Sequence, residues 1–418
     1  MQENLSLNNI FTYRNHIITK KKELLKTIKD KKNLKGQFSF FIKDKQFIYM
    51  GRDEMGTKKM FFTFKKNKIF HSKNFLDLTK IKKIDLNKIY SVPQNSIIKI
   101  KKNKIVNKTF FKKNFHKKNK INLKNEVDIE LKKFFKILNK QYKSVIILLS
   151  GGLDSAIIAN YAKKYFKKNC YALTASYSPK TSLKKKIISQ DLKVSKSICE
   201  KLDINHLNVF FDDNFIKKNL VKILYSCQDW RDYNVHCAVI NFACANYIKK
   251  NFKDKNIAVI TGDFMNEYFS DYDQVIVKNK IYYKQLKKNN KIKQRFFIKG
   301  LDSSARETGV FNFFKIPIFQ PYHCVKSFYE LLSLNNLKNK KSKYKFNKKF
   351  LPDKIFKIVN YSKIRAQHDP ITGGVIGYFY KKNINQNKLI KIFNKNFKTN
   401  NLFLKNFINL GSYKTLIN

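Results

Sequence analysis

The sequence predicts an α/β protein: a doubly wound parallel sheet preceded by a smaller β-rich domain. Three observations predict it. Short apolar runs rich in β-branched residues at 145–149, 170–176, 206–210 and 257–262 alternate with helix-like stretches, the pattern of parallel strands buried on both faces. The first run passes into Ser150-Gly151-Gly152-Leu153-Asp154-Ser155 and then a helix over 156–164, a strand–turn–helix unit that places a ligand site at a strand's carboxyl end. Upstream, 36–44 and 47–62 read as short strands with a turn at 43–45 and another at Gly56.

The glycine turn carries the most chemistry. Gly151 and Gly152 let the backbone turn tightly and present its N–H groups. Ser150, Ser155 and the following helix N-terminus add donors and a positive dipole end, which together make an anion cradle. A carboxylate beside a phosphate repels it, so Asp154 makes sense if it holds Mg²⁺ bridging to the phosphates. The turn lacks the Gly-Lys-Ser/Thr ending of a γ-phosphate loop.

Composition narrows the class. The 418 residues suffice for two domains, and 43% hydrophobic and 15% aromatic residues supply a sizeable core. No apolar stretch approaches a membrane span. The opening Met1-Gln2-Glu3-Asn4-Leu5 does not begin a signal peptide, and a cytoplasmic location is expected. Six cysteines without a Cys-x-x-Cys pair read as buried free thiols. The net charge of +59 would ordinarily point to nucleic acid. Lysine is instead spread over nearly every segment beside heavy Asn, Ile and Phe usage, as AT-rich codons produce, so a nucleic-acid partner is not expected.

Taken in order, 20–32 reads as a basic helix, 101–124 as a Lys/Asn-rich linker and 127–139 as an amphipathic helix. A helix over 189–202 separates the second and third parallel strands, and more helix runs to 250. Asp191 is a first-turn acid or a site residue. Arg231, Asp232 and His236 read as a helix cap and a core histidine, or as groups facing substrate.

Ser-Gly-Gly-x-Asp-Ser resembles the pyrophosphate loop of ATP pyrophosphatases. Arg52-Asp53-Glu54-Met55-Gly56-Thr57-Lys58, Val92-Pro93-Gln94-Asn95-Ser96 and Gly262-Asp263-Phe264-Met265-Asn266-Glu267 resemble, in order, segments of the asparagine synthetases. The resemblance implies an adenine nucleotide α-hydrolase-like fold over 121–418 and a degenerate glutaminase-like domain over 1–120. It implies ATP and Mg²⁺ as cofactors. A carboxylate, aspartate by family default, is adenylated with release of pyrophosphate, and ammonia or an amine then forms the amide. That family's glutaminase uses an N-terminal cysteine. Residue 2 is Gln2 and the first cysteine is Cys170, so glutamine hydrolysis by this chain is not expected; a separate glutaminase and a homodimer stay open. Alternatives are a sugar-carboxylate amidotransferase, a β-lactam-synthetase-like ligase, a tRNA-modifying enzyme and an inactive scaffold.

The residues implied for nucleotide are Leu149, Ser150, Gly151, Gly152, Asp154, Ser155, the end of the second strand at Ala175, and Gly262. Asp154, Asn266 and Glu267 are implied for metal, with Asn266 standing where the family has Asp. Asp263, Glu267 and Lys363 are implied for catalysis. Phe264 and Ser270 replace family glycines, Arg306 and Pro317 match a later segment, and Gln320 stands for a family Asp.

Overall fold

The structure, a computed structural model, describes residues 10–13, 16–30, 34–110, 120–179, 188–252, 256–269, 275–277, 280–282, 302–325, 327, 340–359 and 373–404. Its centre is a five-stranded, wholly parallel sheet. Numbered within this sheet, the strands are β1 Ser144–Leu148, β2 Cys170–Tyr177, β3 Asn205–Phe211, β4 Ile257–Ile260 and β5 Ile318–Phe319. Their spatial order is 3-2-1-4-5. The direction of winding therefore reverses between β1 and β4, and a ligand crevice opens outside the carboxyl ends of those two strands.

The helices follow from the same alternation. They are α1 Leu153–Phe166, α2 Gln190–Leu202, α3 Asp213–Cys227, α4 Asp232–Asn251, α5 Met265–Phe269, α6 Asp302–Phe313 and α7 Lys340–Asn347. Ser189 caps α2 by accepting from Leu192 N at 3.2 Å, and Asp212 caps α3 by accepting from Phe215 N at 2.8 Å, satisfying donors that a helix start leaves open. Two apolar cores sandwich the sheet. Val145 and Ile147 face one with Phe135, Ile157 and Tyr161, while Ile146 faces the other with Val239, Phe242 and Phe393, as the two-residue period of a strand requires.

The upstream strands pair antiparallel. Ser39–Asp44 and Phe47–Arg52 form a hairpin, and Ser96–Lys101 and Lys104–Phe110 complete a four-stranded sheet. The second turn holds Gly56 at φ +65 and leads into the strand Phe61–Lys65. The basic run forms a helix over Lys21–Lys29. The expected linker over 101–124 is corrected: 104–110 is a paired strand, and a helix starts at Lys120 and runs to Gln141, longer than the expected 127–139. The polar composition misled because this strand lies at a sheet edge and keeps its side chains largely in solvent.

The Arg52–Lys58 segment is a buried knot. The Arg52 guanidinium donates to the carbonyls of Lys58, Val92 and Gly56 at 3.1, 3.0 and 2.6 Å. The Asp53 carboxylate accepts from the N–H groups of Phe38, Met55, Thr57 and Lys58. These two side chains replace the regular pairing that an irregular buried backbone lacks.

Candidate active site

Two loops meet in the crevice between β1 and β4. In the first, Gly151 sits at φ +74, a conformation that favours glycine. Gly152 is extended at φ −79 and begins α1, so the tight turn rests on Gly151 alone. Ser150 N–H donates to Ser155 Oγ at 3.3 Å, the Ser150 and Ser155 hydroxyls lie 3.2 Å apart, and Ser155 donates to Gly152 O at 3.1 Å. Leu149 is anchored behind the turn: its N–H donates to Leu173 O at 3.0 Å, and its carbonyl accepts from Thr174 and Ser195 at 2.8 and 3.1 Å. Ala175 pairs with Val209 where β2 continues past the end of β1, so it flanks the turn.

The second loop leaves β4 at Gly262. A Cβ there would lie 2.7 Å from Ser155 N and 2.8 Å from the carbonyl carbon of Asp154, closer than carbon contacts allow. Glycine is thus what lets the two loops touch. Phe264 follows at φ +90, rare for a bulky residue. It is buried, with its ring edge-on to Tyr268 at 5.2 Å and His323 at 4.5 Å. The loop therefore keeps a glycine-like backbone held by aromatic packing. Ser270 lies outside the described residues.

Lys343 on α7 joins the loops. Its Nζ donates to Asp154 Oδ2 and to Asn266 Oδ1, both at 2.6 Å, and its side chain is 4% exposed. Sequence reasoning passed over it because it is one of 88 basic residues and lacks a motif. Mg²⁺ between Asp154 and Asn266 does not fit this arrangement, since an ammonium already bridges both oxygens. Glu267 is buried on α5, and no group of three or more His, Cys, Asp or Glu capable of holding a metal occurs among the described residues.

Asp263 is exposed beyond β4 and interacts with Glu307 on α6. Burial, followed by the Asp263 charge, holds the Glu307 carboxyl well above the usual carboxylate range. Glu307 pairs with the Arg306 guanidinium and accepts from the Gln320 side-chain amide. Burial opposes the Arg306 charge, but Cys237, Glu307 and Asp263 outweigh it and raise its pKa. Glu307 is a buried carboxyl with a raised pKa that sequence reasoning missed, although it adjoins the matched Arg306. Lys363 lies outside the described residues.

Arg231 stands at the N-cap position of α4 without a side-chain cap hydrogen bond, and Asp232 is the first residue of the helix. Arg231 is paired with buried Asp229 at 2.6 Å, and Asp232 accepts from Tyr233 N at 2.8 Å. His236 packs in the core against Phe379 at 4.7 Å. Asp191 is buried in the first turn of α2.

The β-rich region backs both loops. Gln37 and Gln320 exchange hydrogen bonds, and Thr57 bonds His323 Nδ1 at 2.7 Å. Tyr322 between them donates to Asp154 O at 2.8 Å. Burial pushes the Lys58 ammonium down to about 7, with Lys73 adding to it, and His323 down to about 3, with Lys59 and Lys58 adding. The described cysteines are free, and burial raises Cys170, Cys199 and Cys244 to about 12, the opposite of an activated thiolate.

A 3-2-1-4-5 sheet with a glycine turn at its switch point defines the class: an open, doubly wound α/β fold. Residues 130–305 match the asparagine synthase family model. No curated protein matches the chain. Among solved structures, it is similar to an NH3-dependent NAD synthetase from Campylobacter jejuni, at 21% identity over 35% of this chain and 59% of that one, TM-score 0.25. It is similar to an NMN synthetase from Francisella tularensis at 13% identity over 71% and 98%, TM-score 0.32. A glutamine-dependent NAD+ synthetase from Acinetobacter baumannii matches at 12% identity over 41% and 30%, TM-score 0.26. The chain thus spans 59% of the Campylobacter structure and 30% of the Acinetobacter one. No described helix is long and apolar enough to cross a membrane.

Proposed function

We propose that this chain is an AMP-forming carbon–nitrogen ligase that adenylates a small carboxylate and passes the acyl group to ammonia or an amine. The observation that carries this reading is the contact of the Ser150–Ser155 turn with the Gly262 loop at the switch point, within the matched family segment. A carboxylate oxygen attacks the α-phosphorus, and the bond to the pyrophosphate oxygen breaks. The cradle hydroxyls and the start of α1 stabilise the departing anion. The nitrogen nucleophile then attacks the acyl carbon and AMP leaves with the electron pair. Asp263 follows the carboxyl end of β4 and interacts with Glu307 on α6, a pair suited to orient the acceptor or its amine. Lys363 is proposed as the cation that answers the negative charge of the tetrahedral intermediate. Aspartate is the first carboxylate to try.

We further propose that residues 1–120 serve as a packing domain and that nitrogen arrives as free ammonia, an amine, or from a separate glutaminase. The Arg52–Asp53 knot and its contacts to 318–323 support this role. The test is ATP–pyrophosphate exchange across a panel of carboxylates. Carboxylate-dependent exchange is expected. Its absence with every carboxylate, in protein that binds ATP, would leave the chain a nucleotide-binding scaffold.

A further inference from the structure

We propose that Lys343 is a built-in cation that takes the place of a protein-held metal ion between the two loops, so that ATP phosphates meet an ammonium there rather than a resident divalent cation. Three observations converge on it. The Lys343 ammonium stands 2.6 Å from both Asp154 Oδ2 and Asn266 Oδ1, and these are two of the groups from which a metal site would be built. Magnesium binds such oxygens at about 2.0–2.1 Å, so an ion between this pair would occupy the space of the nitrogen. At 2.6 Å the ammonium meets one carboxylate oxygen and one neutral amide oxygen, whereas an amide oxygen is a weaker ligand for a divalent ion than a second carboxylate. Asn266 in place of an aspartate is therefore the residue that suits an ammonium.

Burial adds to the case. With 4% of its side chain exposed, Lys343 is set between Asp154 at the start of α1 and Asn266 on α5. A buried charge is retained where it is paired. Here the pair spans the two loops that frame the crevice, so the same contact that neutralises Asp154 also fixes the loops relative to each other. A compact ammonium on a flexible stem can move with the anion it serves, and removing the repulsion of Asp154 toward phosphate requires one positive charge at this place.

The identity of the anion rests on the ATP reading; the absence of a protein-held metal does not. The experiment separates the two. Manganese binding to the nucleotide-free protein is followed by electron paramagnetic resonance, and ATP binding by calorimetry in EDTA and in Mg²⁺. The wild-type protein is expected to hold no stoichiometric Mn²⁺ at submillimolar concentrations and to bind ATP with affinities that differ little between EDTA and Mg²⁺. Lys343→Met keeps the chain length and removes the charge. It should lose roughly tenfold or more in ATP affinity in EDTA, as expected for a lost charge-assisted hydrogen bond, and gain Mn²⁺ binding, more so with Asn266→Asp. One Mn²⁺ per wild-type chain, abolished by Asp154→Asn, would overturn the proposal, and this arm decides it even if Lys343→Met does not fold. ATP binding absent from every protein, with no Mn²⁺ held by the wild type, would instead remove the ATP reading and leave the ammonium site standing.

Discussion

The two loops of the crevice reach similar ends by different means. The Ser150–Ser155 turn has glycine where its backbone needs it, at Gly151 with φ +74. The Gly262–Phe269 loop has phenylalanine at φ +90 and retains its course because the Phe264 ring is buried against Tyr268 and His323. In one loop local residue choice sets the shape; in the other, packing imposes it. Motif matching therefore reads the first loop and misjudges the second, since a lost glycine signals a changed turn only when nothing tertiary holds it.

The contact between the loops offers the largest break. Gly262→Ala would drive a Cβ into the backbone of Asp154 and Ser155, which cannot swing aside as a side chain can. Pyrophosphate exchange should fall by roughly a hundredfold or more, the scale set by misplaced catalytic groups; unchanged exchange would show that the loops are not jointly required. The buttress behind both loops gives the second effect. Between pH about 7 and the ordinary lysine value of 10.5, the unfolded chain holds a proton on Lys58 that the folded chain lacks. Stability therefore rises with pH across that window. His323 acts likewise between about 3 and 6.5. Lys58→Met should flatten the upper rise by on the order of 2–4 kcal/mol, read from urea unfolding at pH 6 to 10.

Phe264 sharpens the comparison. Phe264→Ala removes the packing and keeps the strain; Phe264→Gly removes both. The glycine variant should be the more stable by about 1–2 kcal/mol, the range of strain for a left-handed non-glycine residue. Both should lie below wild type in thermal unfolding. An alanine variant more stable than the glycine variant would mean that the backbone relaxes away from φ +90. The smallest effect tests the first loop. Gly151→Ala should cost about 1–2 kcal/mol, because φ is positive and Val194 lies 3.0 Å from the new Cβ. Gly152→Ala, with only Ser150 Oγ at 3.5 Å, should change stability by about half a kcal/mol or less.

The sheet was legible because parallel strands buried on both faces leave continuous apolar runs, and 145–149 and 257–260 are such runs. The crevice was legible because the glycine turn follows one of them. β5 was not read as a strand, since two residues, Ile318 and Phe319, carry no periodicity. Lys343 escaped because its role depends on where α7 docks, and Glu307 because its raised pKa comes from burial and from Asp263, which is distant in sequence. Gln320 was noted only as a departure from a family aspartate; its bond to Glu307 shows an amide donating where a carboxylate could not.

The Gln37 side chain carries a consequence for self-association. β5 is the last strand on its side of the sheet, and an open strand edge is a template for another chain. Gln37 offers an amide N–H and C=O to the backbone carbonyl and N–H of Gln320, as a neighbouring strand residue would. Lys58 donates to the carbonyl of Ile318 at 2.5 Å. Two side chains from the β-rich region thus occupy edge positions that a sixth strand would take, and among the described residues the sheet ends at β5.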